Sequence, residues 1–389
     1  MNKKIGILGI GNAGSQIAYL AEKKYGTLID SIYINTSESD LSMVGGDNKF
    51  KIGSPDEVEG SGKNRLKMKK YLMAYSAAMF KDPKFQNTIN EKKYVFVVGS
   101  TAGGTGSGAA PLMLELLKSC FPDVHFILVS VLPQIQASLM EQGNTLEYLN
   151  ELYQDLGDST TYMVYDNDTV SDKSPTEGLE IVNECIVEDI RILSGIDNFP
   201  TPYDSIDEAD LESILRTPGR LLVTRIKKGI TEKVLEDSSI DSIIIKGIKQ
   251  SANCETDRNK RVIRWGIITY FTEAVNKLYS SNLEKLQEFI GTPIERFNHH
   301  AINDKGELLN FLYLVASGLS PINDRVKKIT DRISELKNAL ANDEANKYIL
   351  DDEAVTYDVM ELRRKEERRK NTEKFNTKSI FEKFIKPKK

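Results

Sequence analysis

The chain has 389 residues, of which 28% are charged and 40% hydrophobic, and its formal net charge is −5. This length suffices for two or three domains and a sizeable core, which excludes a small fold stapled by disulfides or metals. The modest negative charge excludes a nucleic-acid-binding surface that covers the whole protein.

Cysteine usage and hydropathy indicate a cytoplasmic protein. Cys120, Cys185 and Cys254 are far apart and form no CxxC pair, so neither a zinc site nor a disulfide framework is predicted. No apolar run reaches the roughly 18 residues of a membrane span. The first twenty residues read as a strand and a glycine-rich turn instead of a signal peptide. We therefore expect no membrane contact.

An α/β fold with a Rossmann-like parallel sheet is predicted for the first half of the chain. Residues 4–10 form a short apolar run typical of a buried strand, followed by a glycine-rich turn and a helix through Ala21. Helical or glycine-rich segments separate the further predicted strands, at residues 31–35, 94–99, 124–132 and 161–165. Such alternation indicates parallel strands covered by helices on both faces.

A long helix is predicted to begin after Ser174. Ser174 is a favourable N-cap, Pro175 suits the first helical position, and Glu177 stands three residues after the cap. Apolar residues then recur at three-to-four spacing as far as Leu193, and Gly195 is a natural stop. At about 1.5 Å per residue the helix spans about 30 Å. We expect the domain boundary to lie on this helix.

The second half predicts a smaller α/β domain, a C-terminal helix and a charged tail. Strands of a second, smaller sheet are predicted at residues 221–226, 242–248, 262–269 and 311–317. An apolar stripe from Ile322 to Leu340 indicates an amphipathic helix. Residues 363–389 hold 12 Lys or Arg against 4 Glu. The predicted divisions are 1–174, 175–195 (central helix), 196–320, 321–362 (C-terminal helix) and 363–389 (basic tail).

The most informative motif is Ser-Thr-Ala-Gly-Gly-Thr-Gly-Ser-Gly at residues 100–108. Its glycines let successive backbone N–H groups converge on phosphate oxygens at a helix start, and Thr105 and Ser107 add hydroxyl donors. The alternative is that the glycines only form a tight turn between the strand and the helix and bind no phosphate. The segment matches the [SAG]GGTG[SAT]G signature and so resembles the tubulin and FtsZ family. That resemblance implies GTP or GDP as ligand, Mg²⁺ held by phosphates and water, and six phosphate-loop residues: Ala102, Gly103, Gly104, Thr105, Gly106 and Ser107.

The resemblance continues in chain order. The segment at residues 9–14 is similar to the family's first phosphate loop, which assigns Gly11, Asn12 and Ala13 to the phosphates. Asn35-Thr36 is similar to the Asn-Thr after the second strand of FtsZ relatives. The loop at residues 60–62 resembles the one over the terminal phosphate, which assigns Gly62, although a flexible surface loop is the alternative.

Two rival nucleotide-binding folds fit less well. A dinucleotide-binding dehydrogenase needs an Asp or Glu at the end of the second strand for the adenosine ribose, and Asn35-Thr36 stands there. A Walker A loop needs GxxxxGK followed by Ser or Thr. Gly62-Lys63-Asn64 lacks the leading glycine and the hydroxyl.

The resemblance also assigns the sugar and base contacts. Glu141-Gln142-Gly143-Asn144 is similar to the tubulin segment whose Glu takes the ribose hydroxyls, with Asn144 as its partner. Asn167 and Asn183 match the asparagines that read guanine in the family. An amide offers both a donor and an acceptor, which suits the guanine edge better than adenine. Ordinary turn or helix-surface asparagines are the alternative.

The segment at residues 203–211 resembles the catalytic loop of FtsZ, with Ser205 in place of the usual Asn. Asp207 and Asp210 would act on the nucleotide of the next subunit, where they orient water. A plain helix-dipole role is the alternative. This loop and the phosphate loops are predicted at opposite ends of the long helix, about 30 Å apart, so we expect a second subunit to complete the site. Such a head-to-tail contact generates a homopolymeric filament.

The C-terminal helix and tail favour one branch of the family. They resemble TubZ, the plasmid- and phage-encoded tubulins that segregate DNA through the DNA-binding adaptor TubR. The basic tail would then contact that adaptor, so contact with nucleic acid would be indirect. Alternatives are a PhuZ-type phage tubulin, an FtsZ-type division protein, a non-hydrolysing filament and, more distantly, the dehydrogenase.

Overall fold

The computed structural model describes residues 5–53, 60–194, 206–227, 229–253, 260–280, 282–303 and 310–342. The chain divides into two compact units, Met1–Thr330 and Asp331–Lys389. In the second unit the described residues are 331–342, which end the C-terminal helix, and Arg332 Nη1 lies 3.1 Å from Glu335 Oε2 there. The predicted basic tail and residues 203–205 of the predicted catalytic loop lie outside the described residues.

One continuous sheet runs through the first unit. The described residues form ten strands: β1 (Ile5–Ile10), β2 (Ile29–Asn35), β3 (Lys49–Lys51), β4 (Tyr94–Ser100), β5 (His125–Leu132), β6 (Thr161–Asp166), β7 (Gly219–Ile226), β8 (Arg264–Phe271), β9 (Glu295–Ile302) and β10 (Phe311–Leu319). Their order is β3-β2-β1-β4-β5-β6-β7-β10-β8-β9. Within it β10 is antiparallel to both of its neighbours, and all other pairs are parallel.

Helices connect most of these strands. The described helices are α1 (Gly11–Tyr25), α2 (Glu38–Ser42), α3 (Arg65–Lys81), α4 (Pro83–Asn90), α5 (Gly104–Cys120), α6 (Leu139–Glu151), α7 (Pro175–Leu193), α8 (Glu208–Leu215), α9 (Glu232–Asp237), α10 (Ile240–Gln250), α11 (Glu273–Leu278), α12 (Glu284–Ile290) and α13 (Asn323–Asn342). A π-helical segment follows α6 and a 3₁₀ turn follows β6. Among the described residues, no helix combines the length and the apolar character that crossing a bilayer requires.

The core explains why helices cover both faces of the sheet. All six residues of β1 are buried, and so are the first six of β4. Val182, Ile186 and Ile190 of α7 join the apolar cluster that these strands form. Strands buried along their whole length are typical of parallel sheets with helices on both sides.

Most predicted elements are confirmed. The strands predicted in the first half lie within two residues of the observed bounds, as do the predicted starts of the long helix and the C-terminal helix. Ser174 Oγ accepts a hydrogen bond from the Glu177 backbone N at 3.3 Å, as expected of the cap. The division of the chain at α7 into two domains stays a prediction.

Two predictions for the second half need correction. The strand predicted at residues 242–248 is wrong, because this segment belongs to α10. Its isoleucines favour a strand, but Ile240, Ile244 and Ile248 recur every four residues and are buried on one helical face. The separate smaller sheet is also wrong. The pairs Thr161↔Gly219 and Tyr162↔Arg220 join β6 to β7 and make the sheet continuous.

The close packing of α1 on the sheet gives a test of the fold. A Cβ added to Gly14 would lie 2.3 Å from the Val98 carbonyl oxygen, whereas nothing lies within 4 Å of a Cβ added to Gly143 in α6. We expect Gly14→Ala to lower the free energy of unfolding by about 3 kcal/mol through overpacking. Gly143→Ala should raise it by up to about 1 kcal/mol through helix propensity. Urea unfolding followed by circular dichroism measures both, and equal effects would contradict this packing.

Candidate nucleotide-binding site

The glycine-rich turns meet where the direction of strand connection reverses. From β1 the chain proceeds outward to β2 and β3, and from β4 it proceeds in the other direction to β5 and β6. Ligands of open α/β sheets bind in the crevice outside such a switch point. Gly11, which follows β1, has φ +73°, and a Cβ there would lie 3.1 Å from the backbone N of Gly106. The starts of α1 and α5 therefore touch across the crevice.

Both helices begin without a side-chain cap. The N-cap residues are Ile10 for α1 and Gly103 for α5, and neither side chain accepts a bond from the first turn. In contrast, α6 and α7 begin with capping serines. The first N–H groups of an uncapped helix are free to bind an anion, and the helix dipole favours negative charge there. Two such ends at one crevice form a cradle that suits the predicted phosphates.

Hydroxyl groups from three loops meet beside α5. Thr105 Oγ1 lies 3.0 Å from Thr36 Oγ1 and 3.3 Å from Ser61 Oγ. Asn35 orders the first of these loops, because its Oδ1 accepts from the Thr36 backbone N at 2.8 Å and its Nδ2 donates to Asp40 Oδ2 at 3.1 Å. Asn35 is buried, so it supports the site through Thr36. Thr36 and Ser61 belong to the two loops predicted by resemblance, although the predicted ligands there were Asn35 and Gly62.

Ser107 differs from the prediction that it adds a hydroxyl donor. It is fully buried, and its Oγ donates to the Gly103 carbonyl oxygen. Its own carbonyl accepts from Arg65 Nη2 at 3.0 Å. Ser107 therefore braces the turn. Among the other predicted ligands, Asn12 is exposed and its Oδ1 accepts from Gln16 Nε2 at 3.0 Å, whereas Ala13 is half-buried.

Asn144 ties the two loops over the cradle together. Its Nδ2 donates to the carbonyl oxygens of Lys63 and Ala102, at 3.0 Å each. Gly62 and Lys63 both have positive φ, +58° and +59°. Among the described residues, Lys63 is the only non-glycine residue with a positive φ. The backbone of this loop is therefore locally strained.

The carboxylate of Glu141, which is predicted to accept hydrogen bonds from the ribose hydroxyls, already accepts hydrogen bonds within the protein. Glu141 Oε1 accepts from Lys63 Nζ at 2.9 Å, and Oε2 accepts from the backbone N and Oγ of Ser138, at 2.9 and 2.7 Å. Burial would raise the pKa of Glu141, but the bonds from Ser138 and Lys63 outweigh it and keep that pKa below its usual value. Glu141 is thus ionised, and a bound sugar would compete with Lys63 for it.

A small cavity lies beside the predicted base-recognition residue. It measures about 200 Å³ and is lined by Gln134, Asn167, Val170, Pro175, Gly178 and Leu179. Asn167 Oδ1 is buried and has no hydrogen-bond partner among the described residues. Asn183 is half-buried one helical turn beyond Leu179 on the same face of α7. An orphaned acceptor at a cavity is suited to a ligand that carries N–H donors.

A larger cavity has no predicted nucleotide residue in its lining. It measures about 1360 Å³ and lies between α7, β7 and α10. Arg225 lines it, and its Nε donates to Oδ1 of the buried Asp189 at 2.7 Å. Asp189 Oδ2 accepts from the Tyr165 hydroxyl at 2.9 Å. Burial raises the pKa of Asp189, and Arg225 opposes that rise. These contacts fix β6 to the central helix.

The family model described as "Tubulin/FtsZ family, GTPase domain" matches residues 4–174, which include every glycine loop of the cradle. These residues form a tubulin/FtsZ GTPase domain. The dehydrogenase alternative is thereby set aside.

Similar proteins extend the comparison over most of the chain. The tubulin-like protein TubZ of Clostridium botulinum C phage is 24% identical over 369 residues, 90% of this chain and 93% of that protein. The structure of phage c-st TubZ with a truncated C-terminal tail has a TM-score of 0.69 at 22% identity and covers 87% of this chain and 99% of that one. Haloferax volcanii CetZ2, a GTPγS-bound protofilament, has a TM-score of 0.67 at 17% identity and covers 86% and 99%. The predicted tubulin/FtsZ fold is confirmed.

The predicted catalytic aspartates form a capping box at the start of α8. The Asp210 backbone N donates to Asp207 Oδ1 at 2.9 Å, and the Asp207 backbone N donates to Asp210 Oδ2 at 3.3 Å. Asp207 is exposed and Asp210 partly so. Capping is therefore one function of the pair, and each carboxylate keeps a second oxygen for other contacts.

The position of α8 is decided by contacts with the amino-terminal ends of the parallel strands. Lys93, directly before β4, lies 3.2 Å from Glu208 and 2.8 Å from Glu212. Thr161, the first residue of β6, donates to the Leu215 carbonyl at 2.8 Å. The cradle lies at the other end of β4, about 20 Å away for seven residues at about 3.3 Å each. Within one subunit the aspartates and the cradle are apart.

The docking of α8 also predicts a pH dependence. His125 Nε2 lies 2.8 Å from the Leu215 carbonyl oxygen, and burial lowers the pKa of His125 to about 4. His125 binds a proton near pH 6.5 in the unfolded chain but only near pH 4 in the folded chain. The free energy of unfolding therefore falls as the pH drops from 6.5 to 4. Between pH 6.5 and 5 the loss should reach about 2 kcal/mol.

Urea unfolding at pH 7 and pH 5 measures this effect, with His125→Gln as the comparison. The glutamine keeps a donor for Leu215 but does not titrate, so the variant should lose less stability on acidification. Identical losses in both proteins would show that His125 is not the titrating group.

Proposed function

We propose that this chain binds GTP and hydrolyses it in a head-to-tail filament of identical subunits. The observation that carries the proposal is the placement of the phosphate cradle and the acidic α8 at opposite ends of the parallel strands β4 to β6. A subunit stacked end to end on another would bring its α8 to its neighbour's cradle. Such a contact is heterologous, and it propagates as an open polymer.

The described residues fit a guanine nucleotide. Backbone N–H groups of residues 11–13 and 102–106 would hold the phosphates, and Glu141 would accept from the ribose hydroxyls. Asn167 Oδ1 would accept from the N1–H and 2-amino donors of guanine, with Asn183 along the same wall. Bound GTP supplies the phosphoanhydride bond, and Mg²⁺ bound to its phosphates would neutralise charge there.

Binding of GTP should be far stronger than binding of ATP. Adenine lacks the adjacent N1–H and 2-amino donors, so Asn167 would stay unpaired, and a preference on the order of 100-fold or more is expected. Displacement of a fluorescent GTP analogue by unlabelled GTP or ATP measures it. Asn167→Ala should weaken GTP binding, whereas the exposed Asn150→Ala on α6 should not. Equal competition by ATP in the wild-type protein would refute the guanine assignment.

Hydrolysis would use groups from two subunits. Asp207 and Asp210 of one subunit would face the terminal phosphate of the next, where carboxylates can orient the attacking water. The structures of Haloferax volcanii CetZ2 and of Bacillus thuringiensis TubZ as GTPγS protofilaments support assembly of this kind. The rate per subunit should therefore rise with protein concentration above a threshold.

Substitutions that keep the helix cap test the shared site. Asp207→Asn and Asp210→Asn retain a capping acceptor but remove the charge. We expect unchanged GTP affinity, a fall in turnover of about 10²- to 10⁴-fold, and filaments that persist. The exposed Glu236→Gln on α9 is the charge-matched control and should hydrolyse normally. Phosphate release and sedimentation report the outcome, and wild-type rates in both variants would place catalysis elsewhere.

The finer biological setting that we propose is partition of plasmid or phage DNA. The phage TubZ relative, similar over 90% of this chain, supports this role. The basic residues at 363–389 would contact a TubR-like, DNA-binding adaptor, and a small helix-turn-helix protein encoded beside this chain would support that assignment. A PhuZ-type phage tubulin and an FtsZ-type division protein are the alternatives.

A further inference from the structure

A buried arginine of the C-terminal helix contacts the last residue of β6 and the residue after β5, beside the cavity of about 200 Å³ that Asn167 lines. Arg325 lies in the first turn of α13 and is 4% exposed. Its Nε donates to Asp166 Oδ2 at 2.7 Å, and its Nη2 donates to Asp166 Oδ1 at 3.0 Å. The same Nη2 donates to the carbonyl oxygen of Pro133 at 2.8 Å. One guanidinium thus joins the carboxyl end of β6 to the residue after β5.

The two loops that Arg325 joins are cross-linked further by their own side chains. Asp166 Oδ1 accepts from the Asp168 backbone N at 3.0 Å. Asp168 Oδ1 accepts from the Ile135 backbone N at 3.0 Å, and Gln134 Nε2 lies 3.5 Å from the Asn167 carbonyl oxygen. Gln134 and Asn167 both line the 200 Å³ cavity. The position of Asn167 therefore depends on this network.

Burial makes the Arg325 contact energetically important. Burial raises the pKa of Asp166, and the charge and hydrogen bonds of Arg325 oppose that rise. When one partner of a buried charge pair is removed, the remaining charge must be protonated or must move towards water. Either change would alter the segment that continues directly into Asn167.

We propose that Arg325 is a positioning residue for guanine recognition and couples the docking of α13's first turn to nucleotide binding. The inference rests on the proposed function, because it requires that the cavity receive the base. Arg325 acts through Asp166 and Pro133 and does not itself contact the ligand. Since such coupling is reciprocal, bound nucleotide should in turn hold residues 325–330 more firmly.

The experiment uses the full chain with Arg325→Met, Asp166→Asn and both together, and with Lys327→Met as the control on the exposed side of the same turn. Affinities for GTP, GDP and ITP are measured by competition against a fluorescent GTP analogue, at protein concentrations too low for filaments to form. ITP lacks only the 2-amino group. Thermal unfolding without nucleotide is measured in parallel.

We expect each single variant to bind GTP and GDP more weakly by one common factor of at least about tenfold, because the phosphate contacts are intact. The preference for GTP over ITP should shrink, since Asn167 is displaced from the base edge. The double variant should be little worse than either single variant, as expected of residues acting as one unit. Lys327→Met should match the wild type. Hydrogen exchange at residues 325–330 should slow on addition of GTP to the wild-type protein.

Failure of the proposed GTP binding and failure of the Arg325 proposal give different results. A wild-type protein that does not bind GTP would overturn both. A wild-type protein that binds GTP, beside an Arg325→Met variant with unchanged affinity and GTP-to-ITP preference, would overturn the inference alone. An unchanged preference with a lowered unfolding midpoint would also overturn it, because it would show a purely structural role. Should Arg325→Met not fold, the nearly isosteric Asp166→Asn decides by the same measurements.

Discussion

At the crevice between β1 and β4, the starts of two helices approach each other so closely that side chains would obstruct them. Gly11 has a left-handed backbone, and a Cβ there would lie 3.1 Å from the Gly106 N. Omission of side-chain caps from α1 and α5 costs each helix about 1 kcal/mol, but it leaves N–H groups free for an anion. The hydroxyl cluster of Thr36, Ser61 and Thr105 and the loop that Asn144 ties down are arranged around this cradle.

The parallel sheet separates this cradle from α8 by the length of its strands. Contacts from Lys93, His125 and Thr161 hold α8, and each of these residues stands at or just before the start of a strand. The cradle lies where the same strands end. Because the strands in the order β3-β2-β1-β4-β5-β6-β7 are all parallel, the cradle and α8 lie at opposite ends of these strands. A polymer axis along the strands would unite them without any rearrangement of the fold.

Strand β6 is held from two sides, immediately before the predicted base-recognition residue. Successive strand residues point to opposite faces. Tyr165 bonds to Asp189 of α7, which also pairs with Arg225 of β7. Asp166 pairs with Arg325 of α13. Asn167 therefore follows two residues whose side chains are fixed by the central helix on one face and the C-terminal helix on the other, and this makes its position sensitive to both.

Local sequence patterns determined much of this protein. Apolar runs located the parallel strands, the Ser174 cap located α7, and the glycine segment at residues 100–108 located the turn that begins α5, because each of these depends on neighbouring residues. The isoleucine-rich stretch of α10 misled, since β-branched composition favoured a strand while burial every four residues decided for a helix.

Only the tertiary structure could decide which side-chain groups are already occupied. Ser107 donates to its own turn, Glu141 is paired with Lys63, and Asp207 and Asp210 cap α8. The ion pair of Arg325 was not predictable, because its partner Asp166 stands 159 residues earlier in the chain. Ion pairs over such separations leave no periodic signal in a single sequence. They arise only when packing brings the end of β6 and the start of α13 together and removes both charges from water.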